Sequence, residues 1–209
     1  MDDKVDTNKT SFSFLALGDS YTVGNFVSES ENWPFRIQNK LAELGINVSR
    51  PKIIAKNGYT TDQLDELINE EKDLTNNWDV VTLLIGVNDQ YAGRTLEWYS
   101  KSFKANLNRA IGFAKNNPLN VIVISIPDYS VTKFAEKNKD PKLVSLEIDA
   151  YNKENKSIAE LANTHYVDIT KFTKSNDPKL ICEDDLHPSS LMFEGWTEIL
   201  LPEFIKVLS

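Results

Sequence analysis

The sequence predicts an α/β fold with a parallel, doubly wound sheet. Short β-branched or aromatic runs alternate with longer stretches of helical period, the pattern of successive βαβ units. The short runs are apolar at most positions, as strands covered on both faces must be. With 209 residues, 41% of them hydrophobic, the chain can build one sizeable core and has little room for a second.

Taken in order, the spacing predicts a first strand over Phe12 to Leu17 and a helix over Trp33 to Leu44. A second strand at Pro51 to Ala55 leads to a helix at Thr61 to Glu71, and a third at Val80 to Ile85 to a helix at Leu96 to Lys115. The fourth and fifth strands are expected at Val121 to Ile126 and Tyr166 to Ile169, separated by a helix at Lys142 to Ala162. Gly195 to Leu208 reads as a closing helix in which Pro202 marks a kink or a break. Polar turns fall at Asn138 to Pro141 and Thr173 to Pro178, and neither has the composition of a linker. The expected organisation is one domain over residues 1–209, with a flexible N-terminal segment at 1–11.

Composition excludes several function classes. A net charge of −8 does not suit a surface that must neutralise phosphates, so nucleic acid is not an expected partner. Cys182 is the only cysteine, which rules out an intrachain disulfide and a thiolate metal cluster. No apolar run is long enough to span a bilayer, and Met1 to Asp6 lacks the basic and apolar regions of a signal peptide. A cytoplasmic location fits a complete chain, and an exported one fits a chain whose signal peptide is missing. A monomer is the working expectation, with oligomerisation left open.

In a parallel sheet of this kind the loops after the carboxyl ends of the strands gather along one edge, where ligands bind. The first of these loops is Gly18-Asp19-Ser20-Tyr21-Thr22-Val23-Gly24, which sets a serine at a strand-to-helix turn. A serine hydroxyl needs a base to become a nucleophile, and the chain has two histidines, His165 and His187. His187 lies in Asp184-Asp185-Leu186-His187-Pro188, where Asp184 can turn back to accept the imidazole Nδ1 proton and leave Nε2 for Ser20. His165 has no acid at comparable spacing before it and is expected to pack or hydrogen-bond at a strand end. Donors for an oxyanion are available from the Ser20 N–H, from Gly58 in Lys56-Asn57-Gly58-Tyr59, and from the Asn88 amide in Gly86-Val87-Asn88-Asp89.

Each motif also has a plain reading. Gly18-Asp19-Ser20 can be a helix cap after a tight turn, Gly86 to Asp89 a turn, and Asp184-Asp185 a solvated acidic loop. Asp19 and Asp89 are expected to brace their loops by hydrogen bonds. Cys182 is expected to be a small buried residue rather than a nucleophile. Tyr91, Trp98, Tyr129 and Phe134 follow the third and fourth strands, and of these Tyr91 and Tyr129 are the candidates to line a substrate pocket.

Taken together, Gly18-Asp19-Ser20, the glycine after the second strand, Gly86-Val87-Asn88-Asp89 and Asp184-Asp185-Leu186-His187-Pro188 resemble, in this order, the sequence blocks of the SGNH (GDSL) hydrolase family. Tyr21 departs from the leucine of the family's name. The resemblance implies a flavodoxin-like three-layer α/β/α sandwich around a five-stranded parallel sheet, and no metal or organic cofactor. It also implies Ser20, Asp184 and His187 as catalytic residues and Ser20, Gly58 and Asn88 as the oxyanion hole. Family members act on carboxylic esters, thioesters, lysophospholipids or sugar acetates. The expected function is a serine esterase that hydrolyses carboxylic esters or thioesters through an acyl-enzyme on Ser20, its partner a small-molecule ester or lipid. An acyltransferase using the same residues, or a non-catalytic binding module on the same fold, are the alternatives.

Overall fold

The computed structural model describes residues 11–175 and 177–209, so the segment expected to be flexible lies, up to residue 10, outside the described residues. Five strands, β1 (Phe14–Gly18), β2 (Lys52–Ala55), β3 (Val80–Leu84), β4 (Val121–Ile124) and β5 (His165–Val167), form one sheet. All pair in parallel, in the order β2-β1-β3-β4-β5. The helices are α1 (Ser20–Val23), α2 (Trp33–Glu43), α3 (Thr61–Glu70), α4 (Val87–Tyr91), α5 (Leu96–Phe113), α6 (Lys133–Asn138), α7 (Pro141–Leu161), α8 (Thr170–Thr173) and α9 (Ser190–Leu208).

The order of strands dictates the layers. The crossing from β1 to β2 runs in one direction along the sheet, and every later crossing runs in the other. Because such crossovers are right-handed, α2 must lie on one face and α3, α5 and α7 on the opposite one. The packing agrees: α2 lies against α9, while α5 lies against α3, α7 and β3. The reversal leaves a crevice between the carboxyl ends of β1 and β3, the topological switch point at which doubly wound sheets bind ligands.

The core supports that edge. Every residue of β1 is buried, and the Phe14 ring meets Phe204 of α9 edge-on at 5.0 Å and Trp33 of α2 at 6.2 Å. Truncating a ring of this kind costs about 3–5 kcal/mol. Asn152 of α7 reaches under the end of β4: its side chain accepts from Ile126 N–H at 2.7 Å and donates to Ile126 C=O at 2.8 Å. It thereby satisfies backbone groups that the sheet leaves unpaired and fixes the chain just before Tyr129.

The strand and helix expectations hold to within a few residues, with two instructive differences. Phe12 forms only an isolated bridge to Val48, outside β1. The closing helix starts at Ser190, not Gly195, because the Ser189 hydroxyl caps it by accepting from Met192 N–H at 3.3 Å. Gly195 is instead a packing position: a Cβ there would come within 2.1 Å of the Phe172 ring. Pro202 sits inside the helix without ending it. Among the described residues no helix is long and apolar enough to cross a membrane.

Candidate active site

The turn after β1 begins with Asp19, whose extended backbone and side chain cap α1: Oδ1 accepts from Tyr21 N–H at 3.0 Å. Ser20 is therefore the first residue of the helix, not its cap. A helix of four residues cannot satisfy its own carbonyls, and the start of α2 does it instead. Asn32 Nδ2 donates to Thr22 C=O and Val23 C=O, each at 3.0 Å, and Trp33 Nε1 donates to Tyr21 C=O at 3.1 Å. Ser20 is 6% exposed and opens onto a cavity of about 310 Å³.

Two further loops reach the same cavity. Lys56 to Tyr59 form a turn closed by Tyr59 N–H donating to Lys56 C=O at 3.3 Å, with Gly58 at φ +75°. Nothing lies within 4 Å of a Cβ at Gly58, so the backbone conformation and not space calls for glycine there. After β3, Gly86 caps α4 at φ +130°, a region closed to side chains, and a Cβ would strike the Tyr99 ring. That turn sets Val87 and Asn88 at the cavity wall. The two loops are tied together: Asn88 Nδ2 donates to Tyr59 C=O at 3.0 Å, and Asp89 accepts from Thr61 N–H at 3.0 Å and Thr61 Oγ1 at 2.8 Å. One amide hydrogen of Asn88 is thus engaged, which fixes the carboxamide, and among the described residues the other hydrogen has no partner.

The histidine arrives on a tight loop between Ile181 and Pro188, which pair across a bridge, with Cys182 N–H donating to His187 C=O at 2.8 Å. Asp184 organises the loop's interior: Oδ1 accepts from Leu186 N–H at 3.1 Å and His187 N–H at 3.0 Å, and Oδ2 meets His187 Nδ1 at 2.5 Å. Burial raises the Asp184 carboxyl, but the bonds from His187 and Leu186 outweigh it and hold the group below the ordinary carboxylate range. Asp185 adopts φ +65° and faces outward to Lys133 and Lys137 of α6, while its carbonyl accepts from Phe134 N–H at 3.2 Å. The loop is in this way fastened to α6.

Ser20, Gly58, Asn88, Asp184 and His187 all line this one cavity. Tyr91 and Tyr129 line it as well, together with Phe134, and the three rings form a wall with centroids 5.8 and 6.4 Å apart. Trp98 is not part of it and packs instead beneath the Arg94 guanidinium. On the other side Phe26, at φ +66° and 58% exposed, lies 5.7 Å from the His187 ring, with Tyr21 at the same distance. Phe26, Leu186, Asn25 and Asn57 are lining residues that sequence reasoning does not find. The positive φ of Phe26 and its contact with a histidine 161 positions away leave no local pattern.

Other expectations are met or corrected in detail. Asp19 and Asp89 brace their loops as expected. His165 joins Glu203 through Nδ1 and Leu119 C=O through Nε2, outside the cavity. Cys182 is half-buried rather than buried, donates from Sγ to Pro188 C=O at 3.1 Å, and does not line the cavity.

The architecture matches solved hydrolases over nearly their full lengths. A lipase/acylhydrolase from Enterococcus faecalis superposes with a TM-score of 0.73 at 20% identity, over 95% of this chain and 97% of the other. The lipase Lip_vut3 from a goat rumen metagenome gives 0.75 at 20% identity, over 92% and 97%. Axe2, an acetylxylan esterase from Geobacillus stearothermophilus, gives 0.67 at 18%, over 95% and 94%. At these identities the likeness is one of fold. No curated protein matches the chain in sequence. Fold and family together define the class, a hydrolase that acts on ester bonds. The model of the GDSL-like lipase/acylhydrolase family matches residues 16–193, and the chain belongs to that family.

Proposed function

We propose that the protein is a serine esterase that works through an acyl-enzyme on Ser20. The observation that carries this reading is the single cavity onto which Ser20, the Asp184-bound His187, Gly58 and Asn88 all open. His187 Nε2 takes the Ser20 proton as Oγ attacks the ester carbonyl, and Asp184 holds the ring by Nδ1 and stabilises the imidazolium that forms. The Ser20 and Gly58 N–H groups and the free amide hydrogen of Asn88 hold the oxyanion. Collapse of the tetrahedral intermediate breaks the carbonyl-to-alkoxy bond, and His187 returns its proton to the departing alcohol. Water, activated by the same imidazole, then releases the acid and restores Ser20.

The substrate reading follows from the lining. Among the described residues no Lys or Arg lines the cavity, so no fixed cationic side chain is there to pair with a charged group of the substrate beyond the reacting ester. At about 310 Å³ the cavity is about twice a ~150 Å³ cavity that holds benzene, room for an ester group and an acyl chain of about six to eight carbons. The aromatic wall is continuous with α4, the helix that carries Asn88, and it runs from Tyr129 at 3% exposure to Tyr91 at 41%. An uncharged ester with an apolar, medium-length acyl group fits these features better than an acetylated sugar does.

A p-nitrophenyl ester series from acetate to decanoate tests both parts. The Ser20→Ala protein, folded by its thermal melt, is expected to have lost hydrolysis of every member. In the parent protein kcat/KM should rise about threefold to fourfold per methylene, the value of a buried CH₂, to a maximum near the hexanoate or octanoate. Retained hydrolysis by Ser20→Ala contradicts the mechanism. A maximum at acetate contradicts the acyl assignment alone.

A further inference from the structure

Directly behind the nucleophile lies a carboxyl that the mechanism above does not use. Asp19 is 0% exposed, and so is Asp89 of α4 across the switch point. Asp19 Oδ1 accepts one bond, from Tyr21 N–H, whereas Oδ2 is buried with no hydrogen-bond partner. The groups whose charge bears on this carboxyl are Asp89 and, on its own helix, the Tyr21 hydroxyl; beyond Asp89 stand Asp62 of α3 and the Tyr99 hydroxyl of α5. Among the described residues no Lys, Arg or His forms an ion pair with Asp19 or Asp89. A fully buried carboxylate with an unpartnered Oδ2, only backbone N–H groups to support it, no ion-pair partner among the described residues and a second buried carboxyl near enough to add its charge is an arrangement that the ionised form cannot sustain cheaply.

We propose that Asp19 is held as a neutral acid, that it is a positioning residue of the oxyanion hole, and that its ionisation closes the active range from the alkaline side. The peptide between Asp19 and Ser20 supplies one of the N–H groups assigned to the oxyanion. A full negative charge on the side chain of that same peptide unit opposes the charge that develops on the substrate oxygen, in surroundings that screen poorly. A neutral carboxyl keeps the cap to Tyr21 N–H and removes the opposition. Burial pushes Asp19 up to about 8, with the charge of Asp89 adding to it, and burial takes Asp89 to about 6. At neutral pH Asp89 can carry the negative charge, held by Thr61, while Asp19 keeps its proton. The proposal rests on the esterase reading for its effect on rate, but the protonation state of Asp19 is measurable without turnover.

The test has two arms. In the first, kcat/KM for the best ester is followed from pH 6 to 10. The parent enzyme should fall about tenfold per pH unit above a midpoint near 8, and Asp19→Asn, which keeps a side-chain oxygen for Tyr21 N–H, should lose that descent. Asp89→Asn removes the neighbouring charge and should move the descent to lower pH. In the second, infrared difference spectra between pH 7 and pH 10, a window in which Asp89 stays ionised, should contain the carbonyl band of a protonated carboxylic acid that is absent from Asp19→Asn. That arm holds even for an inactive preparation. A parent profile flat to pH 10, an Asp19→Asn profile with the parental descent, or an infrared band unaltered by Asp19→Asn overturns the proposal. Absence of turnover accompanied by the Asp19 band leaves the neutral acid established and overturns the esterase reading and the rate effect that depends on it.

Discussion

The chain contains two histidines, each bonded through Nδ1 to a carboxylate, and the two differ in what their second ring nitrogen meets. His165 meets Glu203 through Nδ1, and its Nε2 is taken up by Leu119 C=O at 2.9 Å. His187 meets Asp184 in the same way, but among the described residues its Nε2 has no hydrogen-bond partner, and the ring shares a cavity with Ser20. A histidine–carboxylate pair is a structural clip where both ring nitrogens are bound and a potential proton carrier where one is free beside a nucleophile. The surroundings reinforce the difference, since Tyr21 and Phe26 flank His187, whereas His165 borders a polar groove lined by Asp149, Lys156, Glu160 and Lys206.

The most severe way to break the comparison is to remove each histidine in turn. His187→Ala should lower kcat by about 10⁴-fold to 10⁶-fold, as loss of a triad member does, while His165→Ala should leave kcat within about twofold. Steady-state hydrolysis of one ester by both variants checks this. Next come the acids. Asp184→Asn should cost about 10⁴-fold in kcat by leaving the ring in the wrong tautomer, and Glu203→Gln should cost nothing measurable in rate. Asn88→Ala, which touches neither pair, should lower kcat by about 10²-fold to 10³-fold with KM nearly unchanged, the usual loss for one oxyanion donor.

The smallest effect is on stability. Burial raises Glu203, but Lys206 and His165 lower it further, so its folded value lies below its unfolded one. Such a group contributes stability above its unfolded pKa, and the contribution is lost as pH falls through the folded value. Asp184 has the same sign. Thermal melts from pH 7 down to pH 3 should therefore show a decline below about pH 4 that is shallower in Glu203→Gln, the variant costing under about 1 kcal/mol at neutral pH.

The contrast between the two histidines was half legible in the sequence. Asp184 stands three residues before His187, within one loop, so a local turn could be read from spacing. Glu203 lies 38 residues after His165, on a different element, and no spacing rule joins them. The sheet was legible for a similar reason: strands buried on both faces are continuous apolar runs, and Ser20, Gly58 and Asn88 each lie in the loop or first helical turn that follows one. What escaped is what depends on tertiary contact. The six residues of α6 are mostly polar and carry no periodic stripe, yet α6 presents Phe134 to the cavity and clasps Asp185. The closing helix is read from Gly195 in the sequence because local pattern does not show the Phe172 ring packed on that glycine. Asp19 reads as an ordinary helix cap, and only its complete burial within reach of the Asp89 charge distinguishes it.

The central claim is that Ser20 becomes a nucleophile because His187, and not His165, is free to take its proton. Incubation with a fluorophosphonate probe followed by peptide mass mapping tests it most directly. The account predicts one adduct, on Ser20, formed at the parental rate in His165→Ala and at least about 10³-fold more slowly in His187→Ala. An adduct at another residue, or labelling of Ser20 that persists at the parental rate without His187, would contradict it.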